Sequence, residues 1–90
     1  MRNSVNFFIV PMMNPDGVVL GNTRTSAAGK DLNREFLSKK KELYPEVFHI
    51  KNLTAKIQKK YGVFMYIDFH GHSRRKNTFL YGPNYTISHA

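Results

Sequence analysis

Ninety residues carrying 14 Lys plus Arg against 6 Asp plus Glu, a formal charge of +8, make at most one small basic domain with a modest buried fraction. With no cysteine, disulfides and thiolate metal sites are excluded, so a metal must be held by His, Asp or Glu, a donor set that suits zinc or another divalent ion. The charge favours polyanionic partners such as nucleic acid, an anionic membrane face or an acidic peptide. A solvated helical face is nevertheless the simpler account of Lys39, Lys40, Lys41, Lys51, Lys56, Lys59 and Lys60.

The N-terminal stretch MRNSVNFFIVPMMNPDG holds one Arg and a short apolar run. Pro11 and then Asn14-Pro15-Asp16-Gly17 cut that run off, which makes a poor signal peptide and no membrane span. A cytosolic location is compatible with this. Val5–Val10 (VNFFIV) is β-branched and aromatic, apolar on both faces, and predicts an interior strand that Pro11 ends. Met12 and Met13 read as core filler. Asn14-Pro15-Asp16-Gly17 predicts a turn, since Pro fixes φ and Gly permits positive φ, and Val18-Val19-Leu20 a short extended piece. From Gly21 to Arg34 the chain (GNTRTSAAGKDLNR) is polar and without periodicity, a loop of the length usually reserved for function or disorder.

Glu35–Leu43 has helix-forming composition, interrupted by Tyr44-Pro45. Pro45 suits a first helical turn, and beyond it Val47, Ile50, Leu53, Ile57 and Tyr61 recur at three and four residues. The spacing predicts an amphipathic helix to about Lys60, closed by Gly62. Val63–Phe69 is a short apolar run broken only by Asp68 and reads as a buried strand. The order β–loop–helix–β implies a right-handed crossover between parallel strands, with Phe79-Leu80-Tyr81 as a third, short strand. The expected fold is thus α/β, a mixed sheet flanked by helices. Two strands and a helix bury little for this length, and the chain begins and stops close to predicted strands. Residues 1–90 are therefore expected to be part of a domain truncated at both ends.

The chemistry gathers where the second strand ends, at His70-Gly71-His72-Ser73 followed by Arg74-Arg75-Lys76. Coordinating side chains beside glycine at a strand terminus are typical of α/β active sites. His70 is the leading metal-ligand candidate. On a regular strand His72 shares its face, and a His-x-His pair offers two imidazoles to one ion; Gly71 weakens that geometry. A hydrogen-bonded His at a strand end is the competing account. Asp68 and Ser73 are placed to orient an imidazole. Arg24 and Arg34 lie in or at the end of the polar loop, where a guanidinium has no helix face or core to serve. Such a group is the best-shaped donor for a carboxylate or a developing oxyanion, although a solvated loop cation explains each as well. Asn33 adds an uncharged donor, and Asp31 can pair with either arginine or support a metal-bound histidine. His49 fits a packed or solvated helix residue and His89 a mobile one near the end. Asn52-Leu53-Thr54 and Asn84-Tyr85-Thr86 match a glycosylation pattern that carries no weight without a secretion signal.

Four segments in this order, Asn14–Gly17, Gly21–Ser26 (GNTRTS), Asp31–Arg34 (DLNR) and Asp68–Asn77 (DFHGHSRRKN), resemble the zinc metallocarboxypeptidases, specifically the cytosolic carboxypeptidase branch. The likeness runs from about Val5 to Gly82, and the His70–Asn77 run ending in Phe79-Leu80-Tyr81-Gly82 points to that branch. Members of the branch remove glutamates from protein tails such as those of tubulin. The resemblance implies that His70 is the third zinc ligand and that Arg24 stabilises the oxyanion of the tetrahedral intermediate. It also implies that Asn33 and Arg34 grip the substrate's terminal carboxylate and that Asp31 lies near the metal. In the family a glutamate activates a zinc-bound water for attack on the scissile carbonyl. The family's His-x-x-Glu motif, which supplies two further ligands, and its catalytic glutamate have no counterpart in these 90 residues. With one of three ligands, the chain alone is expected to bind zinc poorly and to hydrolyse nothing. Acidic protein tails are the implied partners and the cytoplasm the implied location, with no membrane or nucleic-acid role. Two other readings stand beside this: a non-catalytic basic module binding acidic tails or nucleic acid, and a different metallohydrolase using His70 with His72.

Overall fold

The computed structural model describes residues 4–83. The expectations for Asn84-Tyr85-Thr86, for His89 and for the chain's two ends lie outside the described residues. Three helical elements occur in order: α1 (Pro15–Val19), a 3-10 turn (Leu32–Arg34) and α2 (Pro45–Tyr61).

The predicted turn at Asn14–Gly17 is instead the start of α1, and Val18-Val19-Leu20 is helical or turn rather than extended. The reason is local. Asn14 is the N-cap, its Oδ1 accepting from Gly17 N–H at 3.1 Å, Pro15 occupies the first turn, where no N–H is required, and Asp16 faces the positive end of the helix. The far end closes as a Schellman motif. Gly21, at φ 73°, donates to Val18 O (3.1 Å), and Asn22 N–H donates to Gly17 O (2.8 Å). Gly21 is required here because the left-handed conformation is costly for a side chain.

Helix α2 agrees with its periodicity and its caps. Pro45 sits in the first turn, Glu46 beside it, Lys59 and Lys60 lie in the last turn, and Gly62 caps the helix at φ 76° with its N–H on Gln58 O at 3.1 Å. Of the apolar stripe only Val47 is buried, 2% exposed; Leu53 and Tyr61 remain open. The core is Leu32, Tyr44 and Val47 with Phe36 packed against it. Glu35–Leu43, despite its helix-forming composition, folds as successive turns, Ser38 N–H donating to Glu35 O and Leu43 N–H to Lys40 O. Those turns bring Phe36 and Tyr44 to the same small core, which isolated helix propensity does not weigh.

Among the described residues no strand forms, so the expected mixed sheet and its crossover are not seen there. A strand exists only by pairing, and Val5–Val10 and Val63–Phe69 have no described ladder partner. Their side chains are correspondingly open: Ile9 is 80%, Phe64 92% and Phe69 91% exposed. Met12, expected as core filler, is also exposed. One aromatic contact, Phe8 to Tyr61 at 5.8 Å between ring centres, links the first segment to α2.

Candidate functional site

The polar loop is ordered from its two ends. Ser26 is 1% exposed and Leu32 7%, and Ser26 N–H donates to Lys30 O at 2.9 Å, so the segment folds back on itself rather than trailing in solvent. Asp31 is the N-cap of the 3-10 turn. Its Oδ1 accepts from Asn33 N–H at 3.0 Å, while its Oδ2 takes both Arg24 Nε (2.8 Å) and an Arg24 Nη (2.7 Å). Each carboxylate oxygen therefore has its own donor set. Of the pairings open to Asp31, the structure makes the one with Arg24.

Partial burial pushes the Asp31 carboxyl upward. The Asn33 N–H, the Arg24 guanidinium and the charge of Arg34 outweigh that effect and hold it below the usual carboxylate range. Arg24 keeps its remaining N–H donors for another anion, because a guanidinium carries five. Its side chain is 64% exposed and thus accessible to a ligand.

His70 meets this assembly from 37 residues away. Its Nε2 lies 2.9 Å from Asn33 Nδ2 and 2.9 Å from Asp68 Oδ2. When Nδ2 donates, Nε2 is an acceptor and carries no proton, the state in which imidazole binds a metal. The same nitrogen also faces Asp68 Oδ2, to which it donates only in the other tautomer, so the two hydrogen bonds are alternatives. Asp68 and Asn33 thus both contact the imidazole at Nε2, Asn33 without any signal in the spacing. Arg24, Asp31, Asn33 and His70 form one connected network; Arg34 follows Asn33 in the same turn and is exposed.

His72 does not join His70. Its Nδ1 accepts from Arg74 N–H (3.2 Å) and Arg75 N–H (2.9 Å), and its ring meets the edge of Phe79 at 5.1 Å. It shapes the turn that carries the cations. Arg75 lies over Phe79 and Tyr81, 5.2 and 5.3 Å from the ring centres. His49 is exposed on α2 beside Phe48.

The donors present suit a divalent metal only in part. His70 is exposed and has a carboxylate beside it, yet among the described residues no three His, Asp or Glu side chains converge. A catalytic zinc takes three protein ligands, so this chain fits as the source of one imidazole.

Comparison with known proteins gives this arrangement a context. Residues 1–89 match the zinc carboxypeptidase family. Mouse cytosolic carboxypeptidase 3 is 48% identical over 82 residues, 91% of this chain and 8% of that protein. Human cytosolic carboxypeptidase 2 is 45% identical over 84 residues, 93% of this chain and 9% of that protein. Mouse cytosolic carboxypeptidase 1 is 49% identical over 83 residues, 91% and 7% of the two chains. The chain thus spans less than a tenth of the length of these relatives. No solved structure matches it. No helix among the described residues is long and apolar enough to cross a membrane.

Proposed function

The chain belongs to the zinc carboxypeptidase family, and from that premise we propose that it is part of the catalytic domain of a cytosolic-type carboxypeptidase. The observation that carries this reading is the 2.9 Å contact between Asn33 and His70, which joins two family-like segments 37 residues apart into one site.

In this reading His70 is the one metal ligand contributed by the chain, and Zn2+ is the metal, with its other ligands supplied by the rest of the catalytic domain. When bound, the metal polarises the scissile carbonyl and lowers the pKa of its water. Arg24, held by Asp31, presents free N–H donors to the oxyanion that forms at that carbonyl. Asn33 and Arg34, on one 3-10 turn, bind the terminal carboxylate of the substrate, the fork of Arg34 matching its two oxygens. The network sets the distance between carboxylate grip and metal ligand, which makes the reaction one at a chain end. The mixed sheet belongs to the complete domain, where Val5–Val10 and Val63–Phe69 acquire partners. The substrates are glutamates at the ends of acidic tails such as tubulin's, in the cytoplasm; the +8 charge supports an acidic substrate. Among the described residues no three His, Asp or Glu side chains converge, so the chain alone is expected to hydrolyse nothing.

The test is a pair of glutamate-ending peptides, one with a free C-terminal carboxylate and one amidated, given to the whole carboxypeptidase chain. The free acid is cleaved and the amide is not. Arg34→Ala removes a charge-assisted contact worth about 1.5–3 kcal/mol, so kcat/KM on the free acid falls about 10- to 100-fold. Equal cleavage of acid and amide refutes the role of Arg34. Binding of acidic tails with no cleavage of either peptide selects the other reading favoured by the +8 charge, a basic binding module.

A further inference from the structure

The loop carrying Arg24 is gripped by both ends of α1. Asn14, the N-cap, donates from Nδ2 to Thr25 O at 3.0 Å while its Oδ1 accepts from Gly17 N–H, so both faces of its amide are engaged. Asn22 donates from its Nδ2 to the same Thr25 carbonyl at 3.2 Å and to Ser26 O at 3.3 Å. The backbone of Asn22 is itself fixed, its N–H on Gly17 O at 2.8 Å. Two amides eight residues apart in sequence thus converge on one carbonyl, that of the residue following Arg24. Gly17 is buried between them: a Cβ there would collide with Asn14 Nδ2 and Thr25 O. On the other side, Asp31 takes the Arg24 guanidinium.

From this geometry we infer that Asn14 and Asn22 are positioning residues for Arg24, a backbone clamp that fixes where its guanidinium stands relative to His70. The inference rests on the proposed oxyanion role of Arg24. Backbone anchoring and the Asp31 ion pair divide the work. Asp31 orients the end of a side chain that is 64% exposed, and the clamp fixes the point from which that side chain departs. A preorganised donor is effective because it does not reorganise as charge develops, so a loosened anchor costs turnover more than binding.

Asn14→Asp separates capping from clamping. Aspartate still accepts from Gly17 N–H and caps α1, but it cannot donate to Thr25 O and sets a carboxylate oxygen against that carbonyl. In the whole carboxypeptidase chain, Asn14→Asp is expected to lower kcat about tenfold or more with KM changed less than about twofold. In an Arg24→Ala background the same substitution should add no further loss, since both act through one guanidinium. Asn22→Ala leaves the α1 cap intact and should lower kcat several-fold with the same non-additivity, which keeps the test open if Asn14→Asp fails to fold. Wild-type kcat in a folded Asn14→Asp enzyme, or losses that multiply with Arg24→Ala, overturns the clamp alone. Wild-type kcat in Arg24→Ala overturns the oxyanion role and the clamp with it.

Discussion

Single residues at this site do two jobs each, and that sets what substitution should reveal. Asp31 caps a turn with one oxygen and holds Arg24 with the other. Its carboxyl pKa is depressed in the folded state, so it adds stability above the unfolded value of ~3.9 and loses that contribution as pH falls through the folded value. Asp31→Asn in the whole enzyme should therefore lower Tm by an amount that is constant above about pH 5 and shrinks as the pH drops below about 4. A difference that grows on acidification contradicts the ion pair. At the same scale, sequence reasoning singled out Arg24 and His70 as candidates, because a loop guanidinium and an imidazole at an apolar segment's end have few other uses, and the structure links the two through Asp31 and Asn33. It did not foresee that Asn33 touches His70, since 37 residues of separation leave no mark in local spacing. His72 was read further: its alternation with His70 suggests a shared face, Gly71 weakens that face, and the ring instead accepts from the Arg74 and Arg75 backbone N–H groups.

At the level of elements, caps decide where helices form. Helix α2 was legible from Pro45, the three-and-four spacing of apolar residues and Gly62, all local signals. Helix α1 was not, because Asn-Pro-Asp-Gly serves equally as a turn and as the first turn of a capped helix. The tie is broken by Thr25, whose carbonyl takes the Asn14 side chain. The packing of that junction makes a sharp prediction at Gly17. Replacing a helical glycine by alanine ordinarily gains about 0.4–1 kcal/mol. Here the new Cβ meets Asn14 and the Thr25 carbonyl, and overpacking of this kind costs about 1–3 kcal/mol. Gly17→Ala should therefore lower the Tm of the whole enzyme by several degrees; a rise in Tm contradicts the junction.

The whole molecule is expanded for its length. Its radius of gyration is 15.7 Å, against about 12 Å for a compact domain of this size, and its described core is three residues deep. The isolated chain should lose helical signal gradually in urea, with no sigmoidal transition; a cooperative transition with m near 1 kcal/mol/M from a monomer contradicts this. The expected strands illustrate why sequence reading stopped short of the sheet. Val5–Val10 and Val63–Phe69 carry the right residues, but pairing requires neighbours that local composition cannot supply. The same incompleteness defines the proposed site, in which His70 is the one metal ligand this chain supplies. Counting zinc per chain in the whole enzyme, with and without His70→Ala, is the most direct test of that assignment. The parent protein should hold one zinc per chain and the variant none; one zinc retained by His70→Ala contradicts the assignment.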